Sequence, residues 1–252
     1  MISFKKIALC AIFFLSCSIS QLIGQNQRKI ENNAFKVGEK LTFSIGWEFI
    51  SAGTAILNVE KIVRINDIPC YHISAVTNSN AFFSTLYKVR DRLESYVDVD
   101  GIFPLRYIKK TYEGGYERNF NVNFNHESQV ALISDADSGN SEIKIPQYLQ
   151  DIISSFYFVR TQPMVEGQDI HLSVFDNGRY KNVTVKVIKK ERISVEAGEF
   201  DCILVQTPIG PFSNKSDLNI WLTDDVRRIP VLMKSKIIIG SVHAELESIS
   251  AE

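Results

Sequence analysis

The stretch Asn119-Phe120-Asn121-Val122-Asn123-Phe124-Asn125 alternates polar and apolar residues without a break. Successive side chains of a β-strand point to opposite faces, so its apolar residues share one face and its asparagines share the other. A strand with one buried and one solvated face is typical of antiparallel sheets, because parallel strands are usually buried on both faces. This stretch therefore predicts an antiparallel sheet.

The same period of two recurs before and after this stretch. It is found at residues 41–47, 183–187 and 218–222. Turn residues such as Asp100-Gly101 and Gly114-Gly115 separate the apolar runs, and counting strands between such turns gives roughly a dozen. The chain is therefore predicted to be mostly β, with one large curved antiparallel sheet that closes into a barrel or approaches one.

Two segments depart from this period and predict helices packed on the sheet. Ser79 or Asn80 is a suitable N-cap for a short helix that runs to Val89. Pro146 is suited to the first turn of a second helix, predicted over residues 146–160, whose last residue Arg160 places a cation at its C-terminal end.

An internal repeat organises the sheet into two similar β-modules, at about residues 36–134 and 165–250. Three pairs of segments match in the same order: 38–45 with 167–174, 69–73 with 201–205, and 95–105 with 220–231. The second helix connects the modules, and no linker rich in Pro, Gly or Ser separates them. We therefore expect a single domain over residues 25–252.

The N-terminus has the order of a secretory signal peptide. Two lysines precede an apolar run at residues 7–15, and small residues follow it. Residues 1–24 are predicted to be this signal, with cleavage after Ser20 or after Gly24. The alternative is a lipoprotein that carries its acyl chains on Cys17. No other stretch approaches the ~18 apolar residues of a spanning helix, so no transmembrane helix is predicted in the mature chain.

Charge and motifs exclude several classes of function. The 28 basic and 29 acidic residues leave a net charge of −1, which disfavours a nucleic-acid-binding protein. The four histidines lack the spacing of metal ligands, and CxxC, HExxH, GxSxG and phosphate-binding loops are absent. We therefore predict no catalytic residue, no metal site, no cofactor and no enzymatic activity. Cys70 and Cys202 form either one disulfide or two buried thiols.

Aromatic residues provide the remaining candidates for a site. They concentrate on the two predicted helices, and a curved sheet with a helix across its mouth can enclose an apolar cavity. The predicted cavity lining is Trp47, Phe82, Phe83, Phe156 and Tyr157. The alternative is that these residues simply pack the helices on the sheet.

A series of short motifs resembles a known family. The motifs include residues 38–43, 101–104, 155–160, 197–202 and 221–225. They are distributed over nearly all of the mature chain. Their order resembles the bacterial exported family known as domain of unknown function 3108 (DUF3108). This resemblance implies a β-rich protein of the periplasm, or of the periplasmic face of the outer membrane, in Gram-negative bacteria. It implies no catalytic residues, and a general likeness to envelope lipid-carrier folds.

The sequence thus favours an exported, non-enzymatic envelope protein that binds a lipid or another amphiphilic ligand in a curved sheet. The alternative is a structural or interaction protein that contacts envelope partners through sheet edges or faces. A cell-envelope hydrolase is a third, less favoured hypothesis, because every catalytic motif tested is absent.

Overall fold

The computed structural model describes residues 28–208, 217–236 and 240–251. These residues form one antiparallel sheet of 14 strands and two short helices. The predicted antiparallel, mostly β fold is thereby confirmed. The predicted signal peptide and the possible lipidation site Cys17 lie outside the described residues.

The elements follow one another in a simple order. The strands are β1 (Glu39–Trp47), β2 (Ile50–Ile65), β3 (Ile68–Ser79), β4 (Arg90–Asp98), β5 (Pro104–Glu113), β6 (Tyr116–Asn125), β7 (Val130–Asp135), β8 (Gly139–Lys144), β9 (Asp169–Asp176), β10 (Arg179–Val195), β11 (Gly198–Thr207), β12 (Leu218–Thr223), β13 (Pro230–Lys236) and β14 (Ser241–Ala251). Helix α1 (Ala81–Leu86) connects β3 to β4, and helix α2 (Ile152–Arg160) connects β8 to β9.

The strand order in the sheet is β8-β7-β6-β5-β4-β3-β2-β1-β14-β13-β12-β11-β10-β9. All neighbours are consecutive in the chain except β1 and β14, which bring the two halves together in the middle. The edges β8 and β9 do not pair, so the curled sheet is open rather than a closed barrel. Within the described residues, a backbone bridge between Gln150 and Val174 spans the gap, with Gln150 N donating to Ser173 O at 2.9 Å.

The core lies on the concave face of the sheet, where α2 packs. In β6 the apolar residues Phe120, Val122 and Phe124 are buried, as the alternation of this strand predicts. From α2, Tyr157 is fully buried and meets Phe35 edge to face, with ring centroids 4.7 Å apart. This packing holds the helix inside the curl of the sheet.

Both helices are shorter than predicted. Helix α2 begins at Ile152 because Asp151 and Ser154 form a capping box there, and because the backbone of Gln150 is already bound to β9. Pro146 therefore lies before the helix. Helix α1 ends at Leu86 rather than Val89, since Val89 bridges to Glu113 of β5.

Irregularities in the ladders recur at matching places in the two halves. The register shifts between Val59 and Lys61 where β2 pairs with β3, and between Val187 and Lys189 where β10 pairs with β11. The β4–β5 pairing shifts after Tyr96, and the β12–β13 pairing shifts after Trp221. The internal repeat stays a prediction, which these matching bulges favour.

Candidate functional site

The predicted lining residues lie in three different environments. Tyr157 is fully buried in the core, and Phe156 packs against it with ring centroids 6.0 Å apart. Trp47 and Phe83 are partly buried and meet edge to face at 6.2 Å, over a second apolar cluster that contains Phe43. Phe82 points outward and is 62% exposed.

The structure adds exposed apolar residues beside Phe82. We define the apolar rim as the large apolar side chains exposed on α1, just after it, and on the β1–β2 hairpin: Phe49, Ile50, Phe82, Leu86 and Tyr87. Sequence reasoning missed Phe49 and Ile50. They could have been found from the sequence, because a turn between two strands is expected to carry polar residues and this one carries Phe49.

Asn80 holds the two parts of the rim together. Its backbone N–H donates to Ala52 O at 2.9 Å, and its Nδ2 donates to Ser51 O at 2.7 Å. Its Oδ1 accepts from Phe83 N at 2.8 Å and so caps α1. Helix α1 is therefore fixed to the β1–β2 hairpin, and Phe82 lies at the same end of the sheet as Phe49.

The β1–β2 turn is also anchored on its other side. Glu48 has a φ of 51°, and its backbone N–H donates to Ser241 O at 2.9 Å. Its carboxylate accepts the N–H of Ser241. These bonds hold the turn to the start of β14, while the side chain of Phe49 is 100% exposed. Phe49 is thus presented to solvent by a restrained hairpin.

A groove of about 370 Å³ lies next to the rim on β3–β6. Its lining includes Asn78, Arg90, Arg92, Lys110, Glu117 and Asn119. It forms where the β4–β5 ladder opens, between the pair Arg92–Lys110 and the isolated bridge at Val89. In this opening the carboxylate of Asp91 accepts the backbone N–H of Tyr112 at 3.1 Å. We call this feature the groove.

Among the basic residues of the groove, some are paired with carboxylates and others are not. Arg92 pairs with Glu94 and with Glu60. Within the described ranges, Arg90 and Lys110 form no ion pair and no side-chain hydrogen bond. Burial, followed by the neighbouring charge of Glu113, raises the pKa of Asp91 to about 7.

Tyr87 lies on the side of the apolar rim that faces the β5–β6 turn. Its ring lies against Gly114, where any added side chain would collide with it. Burial raises the pKa of Tyr87, and the charges of Glu113 and Asp91 raise it further. Tyr87 of the rim thus lies against the β5–β6 turn, and Tyr112, which lines the groove, is two residues before that turn in β5.

A second groove, of about 490 Å³, lies at the opposite end of the sheet. Its wall includes Lys29, Glu31 and Arg160. Arg160 is fully buried, and its guanidinium binds both carboxylate oxygens of Glu39 at 2.7 and 2.8 Å. It also donates to the backbone oxygens of Ala34 and Arg227. Its donors are thus committed to fold contacts, which indicates a structural role.

His72 lies between two carboxylates on the outer face of the sheet. Its Nδ1 is 3.1 Å from Glu60 and its Nε2 is 3.5 Å from Glu94, and its ring stacks on Tyr96 at 4.7 Å. In the part of the chain that the structure describes, no group of three or more His, Cys, Asp or Glu side chains is arranged to hold a metal ion. The absence of a metal site remains a prediction.

Cys70 and Cys202 are separate free thiols, and both are buried. Each thiol donates to the carbonyl two residues earlier, Cys70 to Ile68 O at 3.4 Å and Cys202 to Phe200 O at 3.6 Å. Burial raises the pKa of both thiols to about 12. Neither thiol is therefore suited to act as a nucleophile.

Searches among known proteins add a family and a fold. A family model described as "Protein of unknown function (DUF3108)" matches residues 42–247. No curated protein matches the chain. None of the helices in the described ranges is long and apolar enough to cross a membrane.

Three solved structures are similar to this chain. One is a β-barrel-like protein of domain of unknown function DUF1849 from Brucella abortus, with 12% identity, a TM-score of 0.59, and coverage of 88% of this chain and 99% of that chain. A provisionally named exported protein with a YmcC-like fold from Bacteroides fragilis has 12% identity, the same coverage and a TM-score of 0.33. A provisionally named lipoprotein from Parabacteroides distasonis has 13% identity, the same coverage and a TM-score of 0.33. The first likeness shows a shared fold alone.

Proposed function

The chain belongs to the DUF3108 family of proteins of unknown function, and we propose that it is an exported, non-enzymatic protein that binds the surface of a lipid membrane. Its place is the periplasm, or the periplasmic face of the outer membrane, of a Gram-negative bacterium. The order of lysines, apolar run and small residues at the N-terminus supports export.

The observation that carries the proposal is the exposure of the apolar rim. Phe49 is 100%, Leu86 73% and Phe82 62% exposed, all at one end of the sheet. Clustered apolar exposure of this kind marks an interaction surface. Lys88 and Arg90 follow the rim directly in the chain. Aromatic and aliphatic side chains beside basic residues suit an anionic lipid interface, where the apolar groups enter the acyl boundary and the cations meet the headgroups.

The rim also changes where an amphiphilic ligand is expected. Phe156 and Tyr157 lie in a core packed by α2 and the inner face of the sheet, so their role as cavity lining stays a prediction that this packing disfavours. Trp47 and Phe83 lie behind the rim, where they support it from the inside. Lipid contact is thus assigned to the end of the sheet rather than to its interior.

Replacement of rim residues by serine tests the proposal. Full burial of a Phe or Leu side chain is worth about 1.5–3 kcal/mol, so Phe82→Ser and Phe49→Ser should each weaken vesicle binding about tenfold. The measurement is cosedimentation with vesicles of phosphatidylethanolamine and phosphatidylglycerol. Both side chains are largely exposed, so the variants should melt like the wild type.

Ile62→Ser provides the matched control. Ile62 is 52% exposed and lies near the β2–β3 turn, at the opposite end of the sheet from the rim. This variant should bind vesicles as the wild type does. Absence of wild-type binding, or equal loss in the control and rim variants, would overturn the proposal and favour a rim that contacts an envelope protein.

A further inference from the structure

We propose that the groove beside the apolar rim binds a phosphate group, and that Arg90 and Lys110 are its principal ligands. This inference deepens the proposed function and rests on it only for the source of the phosphate. That source is either the headgroup of a membrane lipid or a free phosphate ester, and the two share the same recognition chemistry.

The register of the sheet concentrates positive charge on one face. Arg92 and Lys110 are direct cross-strand partners, and Arg90 lies two residues from Arg92 on the same face of β4. Like charges placed directly opposite each other destabilise a sheet. Glu94 and Glu60 compensate Arg92, and a bound anion beside Arg90 and Lys110 would compensate the other two cations.

Carboxylates within the protein neutralise Arg92 but not Arg90 and Lys110. Glu94 and Glu60 neutralise Arg92 from its other side, with the Glu94 contact at 2.5 Å. Within the described residues, Arg90 and Lys110 lack such carboxylate partners. Two positive charges with free donors therefore border the groove.

Neutral donors complete the lining. Asn78 is the cross-strand partner of Arg90, and Asn119 is the partner of Lys110. A guanidinium, an ammonium and two amides can together donate to several oxygens of a phosphate, and the planar guanidinium matches two of them at once. The groove, at about 370 Å³, has room for an attached glycerol as well.

Acidic groups around the groove do not cancel this charge. Glu117 also lines the groove, but it lies opposite Tyr112 rather than Lys110, and within the described residues it forms no ion pair with Arg90 or Lys110. Asp91 lies among Glu113, Lys109 and Tyr112, and burial raises its pKa to about 7, so it carries less than a full negative charge near neutral pH.

The test uses soluble phosphate esters, so that it does not depend on membrane binding. Glycerol phosphate and inorganic phosphate are titrated into the isotope-labelled chain and followed by amide chemical shifts. We expect saturable shifts centred on β4 and β5. The double variant R90Q/K110Q should weaken binding at least about tenfold, because each charge-assisted hydrogen bond contributes strongly.

A matched double variant controls for the loss of charge. Lys61 and Arg64 are exposed on β2, toward the opposite end of the sheet, so K61Q/R64Q removes the same net charge. It should leave the titration unchanged. Absence of saturable shifts, or an equal loss in both double variants, would overturn the inference.

The source of the phosphate is resolved by vesicle binding. A lipid headgroup predicts that R90Q/K110Q weakens binding to phosphatidylglycerol vesicles more than K61Q/R64Q does. A free ester predicts saturable titration with unchanged vesicle binding in R90Q/K110Q. Loss of vesicle binding in the rim variants with an intact phosphate titration would separate the rim from the groove.

Discussion

The buried pair Arg160–Glu39 ties the end of α2 to the start of β1. Arg160 is fully buried, and the Glu39 side chain is 9% exposed. Loss of one partner leaves an uncompensated buried charge, which typically costs about 3–5 kcal/mol. We expect Arg160→Met to lower the free energy of unfolding by that amount, as measured by urea denaturation.

A double variant isolates the charge from the packing. In Arg160→Met with Glu39→Gln no buried charge remains, so part of the lost stability should return. Equal stability of the single and double variants would show that the loss comes from packing instead.

Asp91 makes stability depend on pH. Burial and Glu113 raise its folded pKa to about 7 from the ordinary 3.8, so the folded state holds the proton more tightly than the unfolded chain does. The contribution of this proton to the free energy of unfolding is complete below about pH 4 and is lost as the pH rises through 7. The variant Asp91→Asn keeps an oxygen that can accept the N–H of Tyr112, and it has no carboxyl group whose ionisation lowers stability.

The variant Asp91→Asn should therefore be more stable than the wild type at pH 8, by about 1 kcal/mol once solvent screening is allowed for, and no more stable at pH 4. Thermal melts at the two pH values provide the measurement. Glu113→Gln should shift stability in the same direction. A wild type that melts above Asp91→Asn at pH 8 would contradict the assignment.

At the scale of elements, α1 depends on Asn80. Asn80→Ala removes the cap on Phe83 N and the bond to Ser51 O, which should cost about 1 kcal/mol of stability in urea denaturation. Because α1 carries part of the rim, vesicle binding should fall as well. Asn80→Asp keeps the capping acceptor and should retain most of the stability. An Asn80→Ala protein as stable as the wild type would show that the cap is dispensable.

Local sequence patterns predicted the strands well and the helix boundaries less well. The alternation of Phe120, Val122 and Phe124 is visible in a short stretch of sequence, and these side chains are buried as expected. Pro146 suggested an early start for α2, but Gln150 is held by β9, a partner distant in the chain. The rim escaped prediction for a similar reason, since exposure of Phe49 depends on what other elements leave uncovered.

At the scale of the molecule, the sequence left open whether the two edges of the sheet pair to close a barrel. In the structure Phe175 of β9 contacts the buried face of β6, where its ring meets that of Phe124 edge to face with centroids 5.6 Å apart. Asn177, in the β9–β10 turn, accepts from Arg118 at 3.0 Å and from Lys109 at 3.3 Å. Such contacts between distant segments leave no local pattern, which is why the open sheet was not predicted over a closed barrel.

The pairing of β1 with β14 makes the order of synthesis important. β1 is among the first strands to emerge, and β2 follows it at once, but its other partner is the last 11-residue strand of the fold. Until that strand arrives, β1 presents an unpaired edge that other chains can extend. A chain that lacks β14 is therefore expected to expose the edge of β1 at the centre of the sheet, where pairing on both sides otherwise protects it.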